Sequence, residues 1–301
     1  MIDFKDRVAV VTGAGGGLGK QHALLLASRG AAVVVNDLGG TVHGEGSSAS
    51  GAERVVAEIK AAGGEAVAEF SSVAIPDGGR AVVQRAIDEY GRIDVVINNA
   101  GILRDRTLTN MTWGELDSVL DVHLRGAFYV TKPAFIHMKE QGYGRIIVTT
   151  SGSGLFGSFG QSNYASAKMG LVGFMNVIKL EGAKHGITVN AVAPLAHTRM
   201  TEELLGNLAD ELEPSEVSPA VAYLASEACE LSGEIWSVGG GSVSRVFIGL
   251  VQGYFKHPET QGPLTIEDVE ANVPQIRSER DYIVPYSGQD EFAKLGPLLL
   301  G

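Results

Sequence analysis

The chain has 301 residues, 45% hydrophobic and 20% charged, a balance that lets a globular domain bury a sizeable core without disulfides or metals. A net charge of -11, with lysines and arginines scattered rather than grouped, argues against nucleic acid as a partner. No apolar run has bilayer-spanning length, the start MIDFKDRVAVVTGAG is no secretory leader, and the single cysteine suits a reducing compartment, so the expected location is the cytoplasm with no membrane partner.

Short β-branched apolar runs then alternate with longer amphipathic stretches. Val8 to Thr12 reads as a buried strand, followed by a helix over Leu18 to Arg29. Ala32 to Asn36 is a second strand, and after a Gly/Ser-rich loop (Gly39 to Ser50) Gly51 to Ala62 is a second helix. Glu65 to Ala68, Ile93 to Asn98, Arg145 to Thr150, Ile187 to Val192 and Glu234 to Val238 complete seven strands. Between them lie helices over Gly78 to Tyr90, Glu115 to Gln141 (with a kink expected at Pro133) and Gln161 to His185. Cys229 sits near the end of a helix over Ala220 to Ala228 and reads either as buried filler or as a reactive thiol. Residues 243–301 form a proline-bearing tail with one helix candidate, Thr265 to Asn272, whose Thr265 and Asp268 have capping-box spacing.

Near-continuous apolar strands separated by helices predict an α/β protein. Right-handed crossovers then give a doubly wound Rossmann fold: a seven-stranded parallel sheet covered by helices on both faces. The expected division is a domain over residues 1–242 and a C-terminal extension over 243–301, packing on the substrate side or at a subunit interface. Ligands in such sheets lie beyond the carboxyl ends of the strands, where every motif below falls.

The first strand runs into Thr12-Gly13-Ala14-Gly15-Gly16-Gly17-Leu18-Gly19 and then a helix. Gly13 permits the sharp turn, Gly17 lets backbone approach a pyrophosphate, Gly19 packs helix against strand, and the amides of the helix start, Gly15 and Leu18 among them, face the anion. Its position after the first strand lifts this pattern above an ordinary glycine turn. Asp37 ends the second strand, where a carboxylate accepts from an adenosine ribose 2′-OH and repels a 2′-phosphate, favouring NAD over NADP; the bland alternative is a solvated strand-end carboxylate. Asn98-Asn99-Ala100-Gly101 closes the fourth strand, with small residues for close approach and amides to tie strand ends together.

Tyr164 and Lys168 stand four residues apart on one helix and share a face. A phenol is a poor base at neutral pH, and a neighbouring ammonium is expected to lower its pKa. Alone the pair is common surface decoration. Ser151, thirteen residues before Tyr164 at the end of the fifth strand, supplies a hydroxyl to polarise a substrate oxygen while Tyr164 exchanges the proton. The histidines show no metal-ligand spacing with acids or Cys229, and no metal is expected.

The segments TGAGGGLG and NNAG, the Ser151/Tyr164/Lys168 trio and Asn190-Ala191-Val192-Ala193-Pro194 resemble the short-chain dehydrogenase/reductase family over residues 5–242. The resemblance implies one doubly wound domain, NAD(P) binding, and homodimers or homotetramers, here through the two long helices. It brings Pro194 and Thr198 near the nicotinamide and Ser72 and Val73 near the adenine. Three positions depart from the family pattern: His123 stands where many members carry Asn in a proton relay, Ser71-Ser72-Val73 lacks the usual Asp, and Leu195 replaces a Gly. His123 is read as a relay group or as a structural imidazole. The stretches VVVNDLGG, GRIDVVINNAGILRDRTL, DVHLRGAFYVTKPAF and GSFGQSNYASAKMGL further resemble the (3R)-hydroxyacyl-CoA dehydrogenase domains of peroxisomal multifunctional enzymes type 2, as a stand-alone relative. That implies oxidation of a (3R)-hydroxyacyl-CoA, with a 17β-hydroxysteroid dehydrogenase, a 3-oxoacyl reductase and a catalytically silent nucleotide-sensing scaffold as alternatives.

Overall fold

The computed structural model describes residues 1–197 and 211–300. Seven strands pair in parallel in the order β3-β2-β1-β4-β5-β6-β7. They are β1 (Val8–Thr12), β2 (Ala32–Asn36), β3 (Glu65–Glu69), β4 (Val95–Asn98), β5 (Gly144–Thr149), β6 (Ile187–Pro194) and β7 (Ile235–Gly239). Every residue of β1, β4 and β5 is buried, as continuous apolar strands covered on both faces must be. An eighth strand, β8 (Ser242–Val246), joins the edge of the sheet beside β7. The two-residue turn Gly240-Gly241, both at positive φ, has the form of a tight hairpin, so β8 runs antiparallel to β7.

The first three crossovers carry α1 (Gly17–Ser28), α2 (Ser50–Ala61) and α3 (Pro76–Tyr90). The helix expected over Glu115 to Gln141 is three pieces: α4 (Trp113–Leu120), a π-helical turn over Asp121–Arg125, and α5 (Gly126–Gln141). A capping box sets its start before Glu115: Thr112 Oγ1 accepts from the Glu115 amide, and the Glu115 carboxylate accepts from the Thr112 amide. The π turn holds His123. Such a turn adds one residue to the helical ladder and recurs at functional positions. A short helix, α6 (Gly152–Phe156), precedes α7 (Ser162–Gly182), and α8 (Ser218–Ala225) ends before Cys229, which is buried.

The chain divides into two compact units at Arg245/Val246. In the second, β9 (Leu250–Val251) pairs antiparallel with β10 (Tyr282–Ile283). Its helices are α9 (Pro258–Gln261), α10 (Ile266–Ala271), α11 (Val273–Ile276) and α12 (Gln289–Leu300). The Thr265/Asp268 capping box opens α10 as its spacing predicts. The sequence reading leaves out α12, whose interior Pro297 is a residue that ordinarily breaks helices.

Candidate active site

Strand order reverses between β1 and β4, and the loops leaving their carboxyl ends wall a cavity of about 430 Å3. Of the residues expected to hold a nucleotide, Gly13, Gly17, Leu18, Asp37, Ser72, Val73, Asn99, Ala100 and Gly101 line it. Gly15 and Gly19 do not line it, but they make its shape possible. The Gly15 amide donates to Asp37 Oδ2 at 2.7 Å, and a Cβ on Gly15 would stand 2.8 Å from the same carboxylate. A Cβ on Gly19 would stand 2.3 Å from the Gly13 carbonyl oxygen, so only glycine lets α1 approach β1 this closely. Gly13 itself has φ +64, and a Cβ there would press within 2.7 Å of Ala100 Cα.

These residues fit a dinucleotide. The start of α1 has no side-chain cap, which leaves its first amides to face an anion. A Cβ on Gly16 would meet nothing within 4 Å and would project into the cradle where a pyrophosphate belongs. Asp37 is held at both oxygens, Oδ2 by the Gly15 amide and Oδ1 by the Gly39 amide at 2.6 Å, which fixes its carboxylate at the adenosine end.

Thr12 ties the floor together. Its Oγ1 accepts from the Asn99 and Ala100 amides at 3.0 and 3.1 Å and donates to the Ile97 carbonyl. The Asn99 side-chain amide donates back to the Thr12 and Gly13 carbonyls at 3.0 and 3.1 Å, the strand-end tie expected of it. The sequence signalled Asn99 but not Thr12, which resembles any other strand-end threonine.

The reaction centre forms where β5 ends. Ser151 caps α6, its Oγ accepting from the Ser153 amide at 3.2 Å, and its hydroxyl stands near enough to the Tyr164 phenol to influence its pKa. Burial pushes the Tyr164 pKa above its usual value, the Ser151 hydrogen bond opposes the rise, and the charge of Asp105 adds to it. Lys168 is sealed in the core, with Nζ donating to the Thr149 carbonyl at 2.6 Å and lying 5.5 Å from the centre of the Tyr164 ring. Burial draws its ammonium down to about 7. Desolvation is the largest influence on the phenol, while the Lys168 ammonium donates to the Thr149 carbonyl and lies beside the ring.

His123 is buried edge-on to Tyr164, with ring centroids 5.1 Å apart. Its Nε2 lies 3.0 Å from the Ile102 amide nitrogen and 2.8 Å from the Ile102 carbonyl oxygen, so the tautomer decides which bond forms. Its Nδ1 has no protein partner. Burial, and the charge of Lys168 after it, hold the imidazole neutral with a pKa near 3. A second cavity of about 10 Å3, lined by His123 and Lys168, adjoins the first through Val73, Ala100 and Val122, which border both.

Pro194 ends β6 in register with Val238 and does not line the main cavity. Thr198 lies outside the described residues. Cavity residues to which the sequence assigns no cofactor role include Thr41 to Gly44 from the loop after β2, together with Ile102, Arg104, Ser118, Asp121 and Val122. Among the described residues, no group of three or more His, Cys, Asp or Glu could hold a metal ion, and no helix is long and apolar enough to cross a membrane.

The family model for short chain dehydrogenases matches residues 7–208. A short-chain type dehydrogenase/reductase of Mycobacterium tuberculosis is 49% identical over 277 residues, covering 92% of this chain and 96% of that protein. The peroxisomal multifunctional enzyme type 2 of Drosophila melanogaster is 48% identical over 279 residues, covering 91% of this chain but only 46% of its own length. The solved structure of the full-length fly enzyme superposes with a TM-score of 0.83 at 38% identity, covering 99% of this chain and 50% of that one. This chain thus spans about half of the multifunctional enzyme and nearly all of the mycobacterial relative. With the glycine cradle, the strand-end ties and the Ser151–Tyr164 pair in place, these matches show that the chain belongs to the short-chain dehydrogenase/reductase family of NAD(P)-dependent oxidoreductases.

Proposed function

We propose that this chain oxidises a secondary alcohol to a ketone with NAD, and that its substrate is a (3R)-hydroxyacyl-CoA yielding a 3-oxoacyl-CoA. The observation that carries the reading is the Tyr164 ring with His123 edge-on to it and Lys168 Nζ 5.5 Å from its centre, His123 and Lys168 lining a small cavity that shares Val73, Ala100 and Val122 with the glycine-walled one. A dinucleotide held by Gly13, Gly17, Leu18 and Asp37 would supply the acceptor for the hydride of the carbinol carbon. The protein does the rest. Ser151 orients the substrate oxygen, and Tyr164 Oη takes its proton as general base. Lys168 supplies positive charge beside the phenol whenever it is protonated. His123, neutral and fixed on the Ile102 backbone, holds the π turn against the same space.

Asp37 supports NAD over NADP, because its fixed carboxylate would repel a 2′-phosphate. The same feature weighs against a biosynthetic 3-oxoacyl reductase, and the intact trio weighs against a silent scaffold. The substrate class rests on the resemblance of residues 91–108 and 157–171 to the dehydrogenase domains of multifunctional enzymes type 2. Exposed Phe128 and Ile136 on α5 and Val177 and Leu180 on α7 support pairing of two copies through these helices.

The test is the rate of reduced-nicotinamide formation with each of NAD and NADP. Substrates are (3R)- and (3S)-hydroxyacyl-CoA of short and long chain, a sterol-derived hydroxyacyl-CoA and a 17β-hydroxysteroid. The expected outcome is turnover of the (3R) thioesters with NAD at a kcat/KM at least about tenfold above that with NADP. Preference for the free steroid would move the assignment to a hydroxysteroid dehydrogenase, and no turnover of any alcohol would revive the scaffold.

A further inference from the structure

The loop after β2 is Gly/Ser-rich, and its Gly40 and Thr41 to Gly44 line the cavity read as the nucleotide site. The loop is closed at its base, where the Ser48 amide donates to the Leu38 carbonyl at 3.0 Å. It has internal turns of its own: the Thr41 amide donates to the Glu45 carbonyl and the Gly44 amide to the Thr41 carbonyl, both at 2.9 Å. A compact loop with pinned ends is an Ω-loop, a form often found in function.

Its tip reaches the segment that follows β4. The Leu103 amide donates to the Val42 carbonyl at 2.8 Å, and His43 Nδ1 lies 3.0 Å from the Leu103 carbonyl oxygen. Glu45 pairs with Arg104 at 3.3 Å. Gly44, at φ +77, lies so close to Ile102 that a Cβ would stand 3.1 Å from its side chain. The loop thus leaves the protein beside Asp37, after β2, and is fastened beside Gly101 and Ile102, after β4, so that it spans the carboxyl end of the intervening β1.

We propose that residues 39–50 form a strap across the bound dinucleotide, fastened to Leu103 and Arg104, and that release of the strap governs cofactor departure. The proposal rests on the reading of this cavity as the cofactor site. A ligand reaching from Asp37 to Gly101 lies beneath the strap and leaves most directly once the tip detaches. The side-chain bonds of the fastening are exposed, Glu45 being 67% accessible, and each is individually weak. The strap therefore opens without unfolding the sheet beneath it. Its effect falls on the dissociation rate, where most differences in affinity between related complexes lie.

The experiment is stopped-flow displacement of NADH from the full-length protein, with equilibrium fluorescence titration alongside. One variant removes residues 40–47 and joins Gly39 to Ser48, whose backbones already adjoin. A second, His43→Ala with Glu45→Gln, loosens only the fastening. The expected result is NADH dissociation about tenfold faster in the deletion and about threefold faster in the double variant, with Kd rising in step and association little changed. Dissociation and Kd within about twofold of the parent protein in the double variant would overturn the strap, whether or not the deletion folds. Failure of the parent protein to bind NADH at all would instead remove the cofactor reading beneath it.

Discussion

His22 and His123 are imidazoles sealed in the core and drawn down to about 3 by burial. His22 bonds the Ser218 hydroxyl through Nδ1 at 2.8 Å, and His123 bonds the Ile102 backbone. Between about pH 6.5 and 3 the unfolded chain carries protons on both rings while the folded chain does not. The unfolded state therefore binds more protons in that window. The associated stability is complete above pH 6.5 and is lost as pH falls, by about 1.4 kcal/mol per pH unit for each ring. Thermal unfolding between pH 7 and 4.5 should show Tm falling less steeply in His22→Gln than in the parent protein. Equal slopes would contradict the burial argument. Lys168 titrates in another window, being drawn from its usual value to about 7, so its burial costs stability up to that pH and the cost fades as pH rises toward 10.5. The elevated Tyr164 pKa adds a kinetic expectation: kcat/KM for alcohol oxidation should rise from pH 7 to 9 as the phenolate fraction grows. A fall over that range would exclude Tyr164 as the base.

At the scale of elements, the two capping boxes show where sequence and structure meet. Thr265 and Asp268 stand in a proline-bearing tail, and their spacing marks the start of α10. The Thr112/Glu115 box opens its helix ahead of Glu115, where the expected helix begins. Its loss should be felt twice. The Asn163 side chain beside Tyr164 donates to the Glu115 carbonyl at 3.3 Å and to the Arg104 carbonyl at 2.9 Å. Thr112→Ala should therefore cost about 1 kcal/mol of stability and also lower kcat/KM. Thr265→Ala should cost a similar amount in thermal denaturation of its own helix. The π turn at Asp121–Arg125 was not legible, because one extra residue in a ladder leaves almost no trace in an apolar pattern. The strand β8 was hidden by the glycine run before it, which reads as the end of a domain and not as a hairpin turn.

On the proposed function, the first unit as a whole separates binding from chemistry. The β1–β4 half makes the cradle from glycines, Asp37 and the Thr12–Asn99 ties, while β5 and α7 carry Ser151, Tyr164 and Lys168. The parallel sheet was legible because continuous β-branched strands alternate with helices, and the motifs stand at strand ends where such folds bind ligands. Less legible was everything set by contacts distant in sequence: the loop after β2 fastened at Leu103, the Thr12 hydrogen bonds, and the burial that raises the Tyr164 phenol. If the division of labour holds, Tyr164→Phe keeps the cradle and loses the proton acceptor. The measurement is kcat for oxidation of a (3R)-hydroxyacyl-CoA, set beside NADH affinity in the same preparation. The account predicts turnover lower by about 10²-fold or more with Kd for NADH within about twofold; turnover near that of the parent protein would contradict it.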